Sequence, residues 1–128
     1  MDEVNLYTYR AKVIRVIDGD TVEADIDLGF GVLLGKRFLR LSGLDCPEIK
    51  TQAGLLAKEA TVKWIVENAT TKKLLTNTES YVTFQSLSDK PDKYGRNLAK
   101  VIGKGGETLN DYLIKVGHAV PYDGGKRS

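Results

Sequence analysis

The sequence predicts a mainly β fold with one long helix in the middle and a short one near the end. Three observations carry this prediction. Apolar and polar residues alternate with a period of two through much of the first third of the chain. A single stretch after Pro47 switches to three- and four-residue spacing. Glycine-rich or charged connections separate these pieces at short intervals.

The first strand is expected over Tyr7 to Ile17, where Tyr9, Ala11 and Val13 alternate with polar neighbours. Asp18-Gly19 then reads as a hairpin turn. The second strand, Thr21 to Leu28, sets Val22, Ala24, Ile26 and Leu28 against Thr21, Glu23, Asp25 and Asp27. Gly29, Gly31 and Gly35 loosen the next connection, and Lys36 to Leu44 forms a third strand. Pro47 stops it, since proline cannot donate to a β-ladder. A helix follows from about Ala53 to Asn68, its stripe drawn through Leu55, Leu56, Ala60, Val62, Ile65 and Val66. Lys72 to Thr76 and Tyr81 to Leu87 are two further strand pieces, with Asn77 to Ser80 as a polar turn between them. Asp89 to Tyr94 is a charged loop containing Pro91, and Asn97 to Ile102 resumes a strand. Thr108 is the expected N-cap of a short helix through Val116, closed by Gly117. The order suits a five-stranded Greek-key barrel of the OB type, and a plain α+β sandwich satisfies the periodicity as well.

Length and composition bound the rest. At 128 residues and 14.1 kDa the whole chain is expected to form a single domain, and 41% hydrophobic residues suffice for its core without disulfide staples. Cys46 is the sole cysteine, so no internal disulfide can form. A net charge of +2 permits a nucleic-acid partner without arguing for one. The apolar runs are too short to span a membrane. Met1 to Arg10 lacks an apolar signal core, which favours a cytoplasmic location, with secretion after processing as the alternative. Nothing indicates an oligomer, and a monomer is the default.

Three segments carry chemistry. Asp18-Gly19-Asp20-Thr21 is either a turn with solvated acids or a barrel mouth offering Asp20 to a metal. In Arg40 to Glu48, the residues Arg40, Ser42 and Leu44 share one strand face. If that face looks into the barrel, the arginine must be paired or serve a ligand, because a lone buried charge is expensive. Asp45 and Glu48 straddle the reversal at Pro47, so their carboxylates are expected to converge, and the alternative is an exposed turn. Asp92-Lys93-Tyr94-Gly95-Arg96 is either a solvated loop or a device that anchors Tyr94 and aims Arg96 at the same site. Acids with two guanidinium groups match what phosphodiester cleavage needs: a hard cation, an aimed water and fixed positive charge.

Together the three segments resemble the staphylococcal nuclease (thermonuclease) family, over about Lys12 to Val120. The resemblance implies an OB-fold barrel and calcium-dependent cleavage of DNA and RNA to 3′-phosphate ends. It implies that Asp20, Asp45 and the backbone carbonyl of Cys46 bind calcium, and that Asp18 and Thr21 support that shell. It assigns the attacking water to Glu48, and the phosphate to Arg40 and Arg96 with Tyr94 beside them. Losing either guanidinium is then expected to cost ~2–4 kcal/mol of transition-state binding.

The chain also departs from the family pattern. Cys46 stands where threonine is common, and its thiol is expected to invite oxidation or a soft metal. The stretch from Ile49 to Leu55 is short, Thr76 to Tyr81 reads as an insertion, and the sequence stops about where the family builds a last helix. A minimal domain or a fragment is expected on that ground. Tyr122 is the nearest late counterpart of the family's phosphate-side tyrosines.

Other features read as structure. His118 is the sole histidine, which argues against two-histidine nuclease sites and structural zinc. No nucleophile elbow accompanies it. Trp64 belongs to the helix core, and Gly103 to Gly106 lacks P-loop spacing. The expected function is a calcium-dependent nuclease favouring single strands, whose unpaired bases fit an OB groove. The rivals are a non-catalytic OB module that binds nucleic acid and an interaction domain of a larger assembly.

Overall fold

The structure, a computed structural model, describes residues 7–73, 78–87, 93 and 95–122. The expectations for 74–77 and for most of the Asp89 to Tyr94 loop, including Tyr94, lie outside the described residues.

The elements in chain order are β1 (Thr8–Asp18), β2 (Thr21–Gly29), β3 (Val32–Leu41), β4 (Leu44–Asp45), α1 (Gln52–Asn68), β5 (Thr70–Lys73), β6 (Thr78–Ser86), β7 (Arg96–Ile102), α2 (Leu109–Lys115) and β8 (Val120–Pro121). Strands β1, β2 and β3 form an antiparallel meander, and β3 then pairs in parallel with β7. Next to β7 lies β6, which also pairs with β1 and closes a five-stranded ring. This is the OB-type barrel that the sequence predicts, with a helix after the third strand and a short one near the C-terminus. β5 adds an edge to β6, and β4 with β8 makes a small separate ladder.

Period-two patterning places Ala11, Val22, Ala24, Ile26, Leu39, Leu41, Val82, Phe84, Ala99 and Val101 in the core. Helix α1 and helix α2 add Trp64, Ile65, Leu109 and Leu113. Thr108 caps α2 as expected, accepting the Asp111 N–H at 3.0 Å.

Several boundaries differ from the sequence reading. β3 begins at Val32, because the chain turns tightly at Gly29-Phe30-Gly31, all with positive φ. The third strand breaks at Ser42-Gly43, where Gly43 has φ +84°, and restarts as β4. Thr78 to Ser80 belong to β6 rather than to a turn, paired with Lys73 to Thr71. The buried side of α1 is Gly54, Ala57, Thr61, Trp64 and Ile65, whereas Leu55, Leu56, Val62 and Val66 are exposed. The helix lies so close to the barrel that only small side chains fit beneath its first half.

Candidate active site

Asp18 pairs with Thr21 across the β1–β2 hairpin, leaving Gly19-Asp20 as a two-residue turn. Gly19 is required for closeness rather than for an unusual φ. A Cβ there would sit 2.8 Å from Cys46 Sγ and 2.9 Å from Ala57 Cβ. The Gly19 carbonyl accepts the buried Thr61 hydroxyl at 2.7 Å, and Asp18 Oδ1 accepts the Asp20 N–H at 3.1 Å.

Asp20 is buried and held by both its backbone and its side chain. Its carbonyl accepts the Leu41 N–H at 2.9 Å. One carboxylate oxygen takes the Cys46 N–H at 2.9 Å, and the other takes the Thr21 hydroxyl at 3.4 Å.

Arg40 sits on β3 between Leu39 and Leu41, both of which fill the core. Alternation therefore puts Arg40 on the outer face of the barrel wall, not inside it. It is buried all the same, beneath the chain that continues into β4, with its side chain 10% exposed. One guanidinium nitrogen donates to the Leu41 carbonyl at 2.8 Å and lies 3.4 Å from Asp20 Oδ2. The other lies 3.3 Å from Asp45 Oδ1. One fork thus bridges two carboxylates from separate segments, which satisfies the pairing that a buried arginine needs.

Arg96 opens β7 directly beside Phe38, and Leu98 is beside Arg40. Strand geometry then sets the Cα atoms of Arg40 and Arg96 on the order of 8 Å apart on the same outer face. Glu48 does not join Asp20 and Asp45. Its side chain is 72% exposed and lies 3.4 Å from Lys50 Nζ. Among the described residues no three acid, cysteine or histidine side chains gather into a ready cage for an ion. The backbone of Glu48, by contrast, is firmly placed: its carbonyl accepts the N–H of Thr51 at 3.0 Å and its hydroxyl at 2.6 Å, and Thr51 caps α1.

Burial, reinforced by the hydrogen bond and the charge of Asp20, pushes the Asp18 carboxyl up to about 6. Burial also pushes the Cys46 thiol up to about 12, with Asp20 and Asp18 adding to the shift and Arg40 opposing it. The expectation of a reactive thiol is therefore corrected. Cys46 is a protonated core residue packed on Gly19, and it offers the site only backbone groups.

A cavity of about 260 Å³ flanks Asp45, lined by Cys46, Pro47 and the 117–120 segment, including His118. Sequence reasoning missed two buried polar residues behind the site. Thr61 is one. The other is Asn110, which donates to the Ser42 and Ala99 carbonyls at 2.9 and 3.0 Å and accepts the Val101 N–H at 3.1 Å. Their partners are distant in sequence, so no local signal announces them. A Thr or Asn inside an apolar helix face was the one available hint.

The family profile described as Staphylococcal nuclease homologue matches residues 38–127, most of the chain. The chain belongs to this family. The matched part holds Arg40, Asp45, Cys46, Glu48 and Arg96, and the β1–β2 turn brings Asp20 beside Arg40 and Cys46 from outside it. Relatives include the thermonuclease of Staphylococcus hyicus, 39% identical over 124 residues, which span 93% of this chain and 62% of that protein. Endonuclease YhcR of Bacillus subtilis is 29% identical over 114 residues, 89% of this chain and 9% of that protein. An uncharacterized endonuclease of Escherichia coli O157:H7 is 30% identical over 112 residues, 88% of this chain and 60% of that protein. This staphylococcal nuclease homologue thus spans about three fifths of two of these relatives and a small part of the third.

Proposed function

We propose that the chain is a calcium-dependent nuclease that hydrolyses phosphodiester bonds of DNA and RNA, preferring single strands and leaving 3′-phosphate ends. The observation that carries this reading is the Arg40 guanidinium, 3.4 Å from Asp20 and 3.3 Å from Asp45. It puts a phosphate-gripping fork and a pair of acids at one point on the barrel wall.

The donor set fits a hard cation. Asp20 and Asp45 supply carboxylate oxygens and Cys46 a backbone carbonyl, all hard donors. Two carboxylates, one carbonyl and waters would hold calcium, which when bound supplies Lewis-acid polarisation of the phosphoryl oxygen.

The remaining work falls to side chains. Arg40 exchanges part of its carboxylate pairing for the phosphate, to which a planar fork makes two parallel bonds. Arg96, one strand over on the same face, grips it from the other side. Both then neutralise the charge that grows on the phosphorane-like transition state. Glu48, at the wet edge of the site, orients the attacking water or accepts its proton. Its carboxylate is open to solvent, 3.4 Å from Lys50 Nζ.

Purified protein incubated with denatured DNA provides the test. Acid-soluble fragments with 3′-phosphate ends are expected in calcium and not in chelator. Protein that binds DNA in calcium but releases no fragments would refute the reading and leave a non-catalytic binding module.

A further inference from the structure

We infer that Thr61 and Gly54, on one face of α1, are positioning residues that fix the two limbs of the site independently: Thr61 sets Asp20, and Gly54 sets Glu48. The inference rests on the roles proposed above for those two acids.

Gly54, Ala57 and Thr61 are spaced three and four residues apart and all are buried, so they line one side of the helix. Thr61 is fully buried, and its hydroxyl donates to the Gly19 carbonyl at 2.7 Å. Gly19 precedes Asp20 within a two-residue turn, so this bond fixes the peptide from which the Asp20 carboxylate projects. The hydroxyl bonds the peptide before the acid rather than its carboxylate, which makes its effect on the acid indirect.

About two helical turns toward the N-terminus, Gly54 lies against the other limb. A Cβ at Gly54 would overlap the Glu48 carbonyl oxygen and come within 2.5 Å of its carbonyl carbon. Glycine is a poor residue for a helix, so its place in the first turn of α1 is explained by this approach. Any larger residue must displace the Glu48–Ile49 backbone, and the Glu48 side chain with it. One rigid helix therefore supports two limbs that meet at the 2.9 Å hydrogen bond from the Cys46 N–H to the Asp20 carboxylate, with no hydrogen bond between Asp20 and Glu48 themselves among the described residues.

The two arms of the test separate accordingly. Calcium chloride alone is titrated into the full chain by calorimetry, and kcat and KM are measured on single-stranded DNA. Thr61→Val is expected to weaken calcium binding by about 10–100-fold, as loss of an outer-shell partner does, with Thr61→Ser staying within about twofold. Gly54→Ala is expected to leave calcium binding unchanged and to lower kcat by on the order of 10–100-fold at similar KM, the effect of a misplaced catalytic group. Tyr9→Leu, at the opposite end of β1 from the Asp18–Asp20 turn and packed on Phe84, supplies the control: it lowers the melting temperature and changes neither reading. Thr61→Ala replaces Thr61→Val if the latter does not fold.

A Thr61→Val titration superimposable on wild type would overturn the inference. So would Thr61→Ser falling as far as Thr61→Val, or Gly54→Ala retaining full kcat. A wild-type chain that takes up no calcium would refute the proposed function itself, and this inference with it.

Discussion

Replacing Arg40 with methionine keeps most of the stem and removes the charge that two acids share. Asp20 and Asp45 lie 3.4 and 3.3 Å from the guanidinium, with side chains 9% and 17% exposed. At an effective dielectric constant of 20, each such attraction is worth about 4–5 kcal/mol. Drying three charges offsets much of that sum. Removal of one partner from a buried ionic cluster costs about 3–5 kcal/mol, because the remaining charges stay buried and unpaired. The Leu41 carbonyl also loses its 2.8 Å donor. For a chain of this size, the melting temperature is expected to fall by about 11–19 °C. Differential scanning calorimetry in chelator measures the fall. A cation between the two carboxylates replaces part of the lost charge, so millimolar calcium should raise the melting temperature of Arg40→Met more than that of wild type. On denatured DNA the variant should lose about 10²–10³ in kcat. A variant that melts within about 2 °C of wild type, with no extra gain from calcium, would refute the idea that one fork neutralises both acids.

Asp18 gives a pH signature in chelator. Its carboxyl is pushed up from 3.8 to about 6, so the folded chain holds that proton more tightly than the unfolded chain. Its contribution to stability is complete below 3.8 and is lost as the pH rises through 6. Asp18→Asn should therefore unfold at higher urea than wild type well above pH 6, and at nearly the same urea below pH 3.8. Cys46, with its thiol near 12, should resist Ellman's reagent in the native state at neutral pH and react at once in urea. Gly19→Ala should cost about 1–3 kcal/mol by overpacking against Cys46 and Ala57. Adding Cys46→Ala should restore part of that loss in a urea titration, by removing the sulfur that the new methyl meets.

The barrel was legible because period-two alternation in β1, β2 and β7 directly reports which residues face the core. The Thr108 cap was legible because its partner is only three residues away. Contacts between distant segments were not. Asp18-Gly19 reads as a hairpin signal, yet what demands glycine is the approach of Cys46 and α1 from elsewhere in the chain. The apolar stripe of α1 pointed to Leu55, Leu56, Val62 and Val66, because hydrophobicity scales reward large side chains. The face that packs is instead the one with Gly54, Ala57 and Thr61, which allow the closest approach. The meeting of Arg40 with Asp20 and Asp45 followed from three motifs taken together. The outward position of Glu48 did not, since a reversal at Pro47 fixes the path of the backbone and leaves the side chain free to face water.

Ring closure by β6 against β1 has a temporal consequence. Tyr9 sits opposite Phe84, and Arg96 takes its place beside Phe38 only in the strand after β6. Pairings so remote along the chain form late and slowly. A nascent polypeptide that ends before β7 carries Asp20, Arg40 and Asp45 but not Arg96. Any step that needs both guanidinium groups therefore waits until β7 has been made and has paired with β3.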